Sequence, residues 1–170
     1  IFREVAMKLL VVGGGGREHA IIKKLKENPA VETIYALPGN GGIAADAVCV
    51  DINAKDIPAQ VAFAKSHGVD YAVVAPDDPL ALGAVDALTR EGIPCFGPNA
   101  AAAQIESSKV FAKDLMKKYH IPTAAYEVFT DLEAFAASDA FDAAYIASPN
   151  LCHFDQAMCL LRHGKHVLLE

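Results

Sequence analysis

No apolar run in this chain is long enough to span a membrane, and no signal peptide is visible. Positive charge is also short: 15 Lys and Arg stand against 21 Asp and Glu, for a formal net charge of −6, and no basic stripe is present. Neither a membrane nor a nucleic acid is therefore an expected partner. Low-complexity runs are missing, since glycine and proline are spread as punctuation. The four cysteines, Cys49, Cys95, Cys152 and Cys159, sit in apolar strand or helix patterns without metal-ligand spacing. They read as reduced core residues of a cytoplasmic protein, and no metal site is expected.

What is present is core material. A hydrophobic content of 53% over 170 residues supplies one sizeable domain, or one domain and a short extension. Met7 reads as a natural start, which leaves residues 1–6 as a leader outside the fold argument.

The chain is organised around the stretch from Lys8 to Ala20. Leu9, Leu10, Val11 and Val12 run into Gly13, Gly14, Gly15 and Gly16, and a helix pattern opens at Arg17, Glu18 and His19. This is the grammar of a buried parallel strand, a tight turn, and a helix facing that turn with its N-terminus. Glycines let the backbone approach a ligand closely, and the free N–H groups of a helix start suit a phosphate or carboxylate. Arg17 adds a full positive charge with forked donors. The plainer alternative is a glycine turn needed only for packing.

As a dinucleotide loop the stretch is poor. Counting from Gly13, the third-glycine position is occupied by Glu18, whose carboxylate is expected to crowd the turn and repel a pyrophosphate. The next strand, Thr33 to Leu37, ends in Pro38-Gly39-Asn40 and offers no acidic residue for an adenosine ribose.

Strand and helix patterns alternate down the chain. Lys23, Lys24 and Lys26 form the wet face of the first helix, with Ile21, Ile22 and Leu25 turned inward. A short strand over 47–50 follows, then a helix opened by Asp56 and Pro58 that turns Ile57, Val61 and Ala64 inward and closes at Gly68. Strand 71–75 leads to Pro76-Asp77-Asp78-Pro79, where Asp78 is expected to cap and Pro79 to take the first position of a helix running to Gly92. Strand 93–96, the Gly97-Pro98-Asn99 turn and a helix capped by Asn99 come next. The helix after Ser107 is expected to bury Ala112, Leu115, Met116 and Tyr119, with Lys109 and Lys113 one turn apart on its other side. Such alternation predicts an α/β, Rossmann-like three-layer domain with a mostly parallel sheet. Ligands gather at the carboxyl ends of such strands, where the loops at Gly13–Gly16, Pro38–Asn40, Pro76–Asp78 and Gly97–Asn99 converge.

In order and wording, Gly13 to Ala20, Pro38-Gly39-Asn40, Pro76 to Leu80, Phe96 to Ala100, Ser108 to Lys113 and Ile121 to Ala124 resemble the phosphoribosylamine–glycine ligase family. The resemblance runs from Met7 to about Leu132 and implies the domain that precedes the ATP-grasp domains in that purine-biosynthesis family. It implies that Gly13, Gly14, Gly15, Gly16, Arg17, Glu18, His19, Pro38, Gly39 and Asn40 lie at the ribose-phosphate site, with Asp77 and Asp78 on the same rim. It also implies that Lys109 is the ATP-phosphate lysine. The family commonly carries Glu where this chain has Asp77 or Asp78. ATP and magnesium are implied for the full-length ligase alone; no cofactor is expected to be firmly bound here, and the expected ligand is a small phosphorylated molecule or an inorganic anion. A homodimer is left open.

Past Leu132 the text changes character. Thr130 to Glu133 makes a capping box for a short helix. A strand and loop over 141–150 follow, then a helix from His153 to His163 expected to bury Phe154, Ala157, Met158 and Leu161, and a closing strand over 166–170. Ala144 to Asn150, His153 and Gly164 to Glu170 resemble the nucleotide-binding domain of the glucose-fructose-oxidoreductase and inositol-dehydrogenase family. That resemblance implies a dinucleotide contact at Ser148, Pro149 and Asn150. In that family the closing strand ends in Glu-Lys-Pro with a catalytic lysine, and here the sequence reads to Glu170.

The unbroken alternation predicts that 133–170 completes the same sheet as 7–132, one structural domain joined from two families. Three readings stand: a ligase-derived substrate-binding domain without activity of its own, a nicotinamide-binding oxidoreductase module, and an engineered chimeric scaffold. His19, His153 and His166 show no partner carboxylate in the sequence and read as core or surface histidines.

Overall fold

A computed structural model of the chain describes residues 6–170, so all of the expected leader but Ala6 lies outside the described residues. The chain divides into two compact units, the second spanning Pro122–Glu170.

The first unit is built on a five-stranded sheet in the order β3-β2-β1-β4-β5. Its strands are β1 (Met7–Gly13), β2 (Val31–Pro38), β3 (Val48–Cys49), β4 (Tyr71–Val74) and β5 (Cys95–Phe96), and every pairing is parallel. β1 lies between β2 and β4, with Leu10 opposite Tyr35 on one side and Ala72 on the other. Alternate side chains of a strand leave by opposite faces. Leu10 and Val12 therefore join a core with Leu37, Val74, Leu80 and Leu88, while Leu9 and Val11 join one with Ile22, Ile34, Ala36 and Ile43. Burial on both faces is why this strand reads as an unbroken apolar run.

Helix α1 (Gly16–Leu25) buries Ile22, with Ile21 and Leu25 packed beside it, as its stripe predicts. Helix α2 (Ile57–His67) starts at an Asp56 cap whose carboxylate accepts the Ala59 N–H at 3.1 Å, and it closes at Gly68 in the left-handed region. The helix expected up to Gly92 is two helices, α3 (Asp77–Ala81) and α4 (Ala84–Arg90), separated at Gly83 with φ of 85°. Pro76, in extended conformation, stands at the cap expected of Asp78, so Asp77 and Asp78 form the first turn instead. Asn99 caps α5 (Ala100–Ser107) and Ser108 caps α6 (Lys109–Lys118), each accepting a backbone N–H three residues on. In α6 the expected burial is not reached: Ala112, Leu115 and Met116 are half-buried and Tyr119 is exposed.

The second unit corrects the expectation of one continuous sheet. β6 (Ala143–Ile146) and β7 (His166–Leu169) pair in parallel with each other in a two-stranded sheet of their own. A strand–helix–strand satisfies its pairing internally, and nothing in its sequence specifies an outer neighbour. Helix α7 (Leu132–Ala136) is capped by Asp131, which accepts the N–H groups of Glu133 and Ala134, so the cap is one residue beyond Thr130. Helix α8 (His153–Arg162) buries Ala157, Cys159 and Leu160 against Ala136 and Ile146. Phe154 and Leu161, expected inside, are exposed, and Met158 is half-buried. Burial and the neighbouring Glu133 carboxylate push the Cys159 thiol pKa up.

Candidate functional site

Each glycine of the loop has its own reason. Gly13 has φ of 125°, and a Cβ there would come within 2.6 Å of Glu18 Cγ and 2.9 Å of Pro76 Cγ. A Cβ on Gly14 would meet the Gly39 carbonyl oxygen at 2.5 Å. Around Gly16, by contrast, space is open for 4 Å. Two of the four glycines thus serve packing between loops, while the helix start itself faces solvent.

Glu18 does not crowd the turn as expected. Its side chain, 4% exposed, folds back beneath the loop, and Oε2 accepts the Gly15 N–H at 2.6 Å. This is the half of a capping box that needs no side chain on the cap residue. Oε1 is buried without a hydrogen-bond partner, and Arg17 Nε lies 3.8 Å from it. The Gly15 amide is therefore committed to a carboxylate, which removes it from the donors expected for an anion. Arg17 is 70% exposed at the mouth of the same turn.

The Pro38-Gly39-Asn40 loop, at the end of the neighbouring strand, is stitched to the glycine loop. The Gly39 N–H donates to the Gly13 carbonyl at 3.1 Å, and Asn40 Nδ2 donates to the Gly14 carbonyl at 2.6 Å. Asn40 Oδ1 accepts the Ile43 N–H at 2.8 Å and opens the single turn over Ile43–Ala45. That turn delivers a residue the sequence did not single out. Asp46 Oδ2 lies 2.9 Å from His19 Nε2, and its Oδ1 is 3.2 Å from Lys26 Nζ. These two contacts, His19 first, hold the Asp46 carboxyl below the usual aspartate range. His19 thus has the partner carboxylate that 27 residues of separation concealed.

Pro76 approaches Gly13 from the end of β4. Beside it, Asp78 is paired with Lys55 at 2.5 Å, which raises the lysine's pKa. Gly97, with φ of 142°, brings the β5 loop within 2.9 Å of the Val74 carbonyl, measured to its would-be Cβ. The four expected loops therefore do share one rim. Lys109 opens α6 with an exposed side chain and joins none of the hydrogen bonds or ion pairs described for that rim. A cleft of about 650 Å³ lies to one side, lined by Val85, Asp86, Thr89, Arg90, Gly97 and Asn99, and the glycine loop takes no part in it.

In the second unit, the Ser148 hydroxyl donates to Gln156 Oε1 at 2.5 Å, and the Ser148 carbonyl accepts from His153 Nε2 at 2.7 Å. Since a carbonyl only accepts, His153 carries its proton on Nε2. Pro149 and Asn150 are exposed. Ser148 is thus tied to α8, and its hydroxyl proton is already in use.

A doubly wound parallel sheet with a glycine turn and stitched loops at its carboxyl edge defines an α/β domain of the kind that holds ligands at that edge. The chain belongs to the phosphoribosylglycinamide synthetase N-domain family, which its residues 7–106 match. It is 50% identical over 129 residues to the phosphoribosylamine–glycine ligase of Allochromatium vinosum, covering 75% of this chain and 30% of that protein. Against the same ligase from Vibrio cholerae the identity is 48% over equal shares. The chain thus spans under a third of the length of these relatives. Among solved structures, phosphoribosylamine–glycine ligase from Thermotoga maritima aligns with a TM-score of 0.52 at 27% identity, over 71% of this chain and 27% of that one. N5-carboxyaminoimidazole ribonucleotide synthetase from the same organism gives 0.56 at 20% identity, over 76% and 35%, a likeness of fold alone. Residues 97–170 match the oxidoreductase family with an NAD-binding Rossmann fold, overlapping the ligase match at 97–106.

Proposed function

We propose that the first unit is the ribose-phosphate-binding part of a phosphoribosylamine–glycine ligase of purine biosynthesis. The observation that carries this is the identity of 50% over 129 residues with such a ligase, beside a family match over residues 7–106 that includes the stitched loops. The ligand is a small phosphorylated molecule, held by the exposed helix start at Gly16 and Arg17 and by the Asn40 loop. Arg17 supplies the cation, offsetting the Glu18 charge beneath the turn. Gly13, Gly14 and Gly39 keep the loops close enough for both to reach one ligand.

ATP and magnesium belong, in this reading, to the ATP-grasp part of a whole ligase, with Lys109 at the nucleotide phosphates. Among the described residues, no group of three carboxylate, histidine or cysteine ligands forms at the rim, and Asp78 is engaged by Lys55. The chain by itself is expected to bind without ligating. Phosphoribosylamine- and glycine-dependent ADP release from the pure protein would contradict that.

Binding is tested by thermal unfolding with ribose 5-phosphate or inorganic phosphate. A ligand at a hundredfold its Kd stabilises by about 2.7 kcal/mol. The melting temperature should rise, and less so in Arg17→Ala. An equal rise in the variant would remove Arg17 from the site.

A second reading is carried by the oxidoreductase match over 97–170. It makes the second unit a fragment of a nicotinamide-dinucleotide-binding fold and the chain a join of two families, engineered or recombined. Ser148, Pro149 and Asn150 are the dinucleotide contact in that reading. With the Ser148 hydroxyl already bonded and no glycine loop in this unit, NADH and NADPH fluorescence should show no saturable change at micromolar concentration. A tight stoichiometric response would favour the oxidoreductase module instead. The coding sequence tests the join, which requires two sources.

A further inference from the structure

The thiol set aside for want of metal spacing has a partner one helical turn away. Cys159 lies on α8 and His163 is the residue that ends it, four positions on, which puts both on one face. Glu133, in the first turn of α7, meets them there: its Oε2 lies 3.5 Å from His163 Nε2. The three ligand atoms, one from each side chain, all lie within 4.8 Å of one another. Donors on a tetrahedral zinc ion at about 2.0–2.3 Å are separated by about 3.3–3.7 Å. The carboxylate–imidazole pair already has that spacing, and closing the widest pair needs a movement of about 1 Å.

The histidine is prepared for the role. His163 Nδ1 lies 3.0 Å from the Cys159 carbonyl, which only accepts, so the proton sits on Nδ1. In the neutral ring, Nε2 then presents its lone pair on the side of Glu133. A carbonyl that fixes the tautomer and ring angle of a histidine is the usual outer support of a metal ligand. The sulfur's contact with the Leu132 carbonyl is 3.9 Å long, and the Glu133 carboxylate is its other neighbour. Cys159 is 4% exposed, whereas His163 and Glu133 are open to solvent, so an ion can enter from outside with the thiol at the floor.

We propose that Glu133, Cys159 and His163 form a zinc-binding site with water in the fourth position. One thiolate, one imidazole and one carboxylate suit zinc and discriminate against magnesium and calcium, which prefer oxygen throughout. On binding, the Cys159 S–H bond gives way to a sulfur–metal bond, the proton leaves to solvent, and nothing is oxidised or reduced. The bound ion ties α7 to α8 and stabilises the second unit. This site is independent of the function proposed for the glycine loop.

The test is a titration of the full chain, kept reduced, with cobalt(II) as the probe and zinc as competitor. One equivalent of cobalt should give a thiolate-to-metal charge-transfer band together with the strong visible bands of a tetrahedral site, and one equivalent of zinc should abolish both. Cys159→Ala should lose the charge-transfer band, and Cys152→Ala, at an exposed thiol, should keep it. His163→Ala and Glu133→Gln alter exposed side chains and should weaken affinity at least about tenfold, which keeps the test decisive if Cys159→Ala does not fold. No binding at micromolar cobalt would overturn the proposal. So would binding without a thiolate band, or binding unchanged in His163→Ala and Glu133→Gln.

Discussion

Strands β1 and β7 carry nearly the same text, Leu-Leu-Val-Val in one and Val-Leu-Leu in the other, and meet different fates. Leu9, Leu10, Val11 and Val12 are closed to solvent on both faces, whereas Leu168 is 63% exposed and Leu169 is 49% exposed. Five strands with helices on two faces cover an apolar strand completely; a pair of strands with one small core does not. An apolar run therefore announces a parallel strand, but the number of its neighbours decides how much that strand contributes to stability. The same contrast separates the loops. Those of the first unit are locked by bonds between different strand ends, while Ser148 is held by the helix that follows it.

The largest expected effect is at the centre of the first sheet. Leu10→Ala, at a fully buried position, should cost about 2–5 kcal/mol in urea unfolding. Leu168→Ala should stay within about 0.5 kcal/mol. A comparable loss at both positions would mean that the β7 face is covered in solution and would erase the contrast.

Next come the glycines. Gly14→Ala drives a methyl into the Gly39 carbonyl and should destabilise by about 1–3 kcal/mol. Gly16→Ala, in open space at the first helical position, should be neutral or stabilising by up to about 1 kcal/mol. Equal behaviour of the two variants would refute the division of the loop into packing and solvent-facing halves.

A smaller effect is expected from Asp46. Its carboxyl titrates below the ordinary aspartate value of about 3.9, because His19 and then Lys26 bond to the charged form. The contribution is fully present above that value and is lost as pH falls through the folded-state pKa. Acid unfolding of Asp46→Asn should thus depend less steeply on pH below about 4 than that of the parent chain. Identical acid slopes would show that the pair contributes nothing. Smallest of all is Lys55→Gln: an exposed pair of this kind is screened by salt, and no change in unfolding midpoint is expected at physiological ionic strength.

Much of this molecule was legible because its signals are local. The strand–glycine–helix grammar at 8–20, the Asp56 and Asn99 caps and the alternation of strand and helix all follow from short-range chemistry. What escaped was set by distant partners or by counting. Asp46 becomes a site residue through an asparagine-opened turn that turns it toward α1, 27 residues back, and periodicity carries no trace of that. Glu18 was read as an obstacle because its sequence position is that of a glycine; only the rotamer beneath the loop shows it serving as a cap. The separate tail sheet was missed because alternation specifies βαβ units without saying which edge they join. Hydrophobicity places Phe154 and Leu161 inside, yet the small core under α8 takes Ala157, Cys159 and Leu160 and leaves those two exposed.

The central proposal is that ligand recognition resides in the stitched loops of the first unit and owes nothing to the tail. It is tested most directly by following backbone amide resonances of the whole chain during a ribose 5-phosphate titration. The account predicts saturable shifts at Gly16, Arg17 and Asn40, diminished in Arg17→Ala, with Ser148 and Asn150 unmoved. Shifts confined to Ser148 and Asn150, or none at the glycine loop at millimolar ligand, would contradict it.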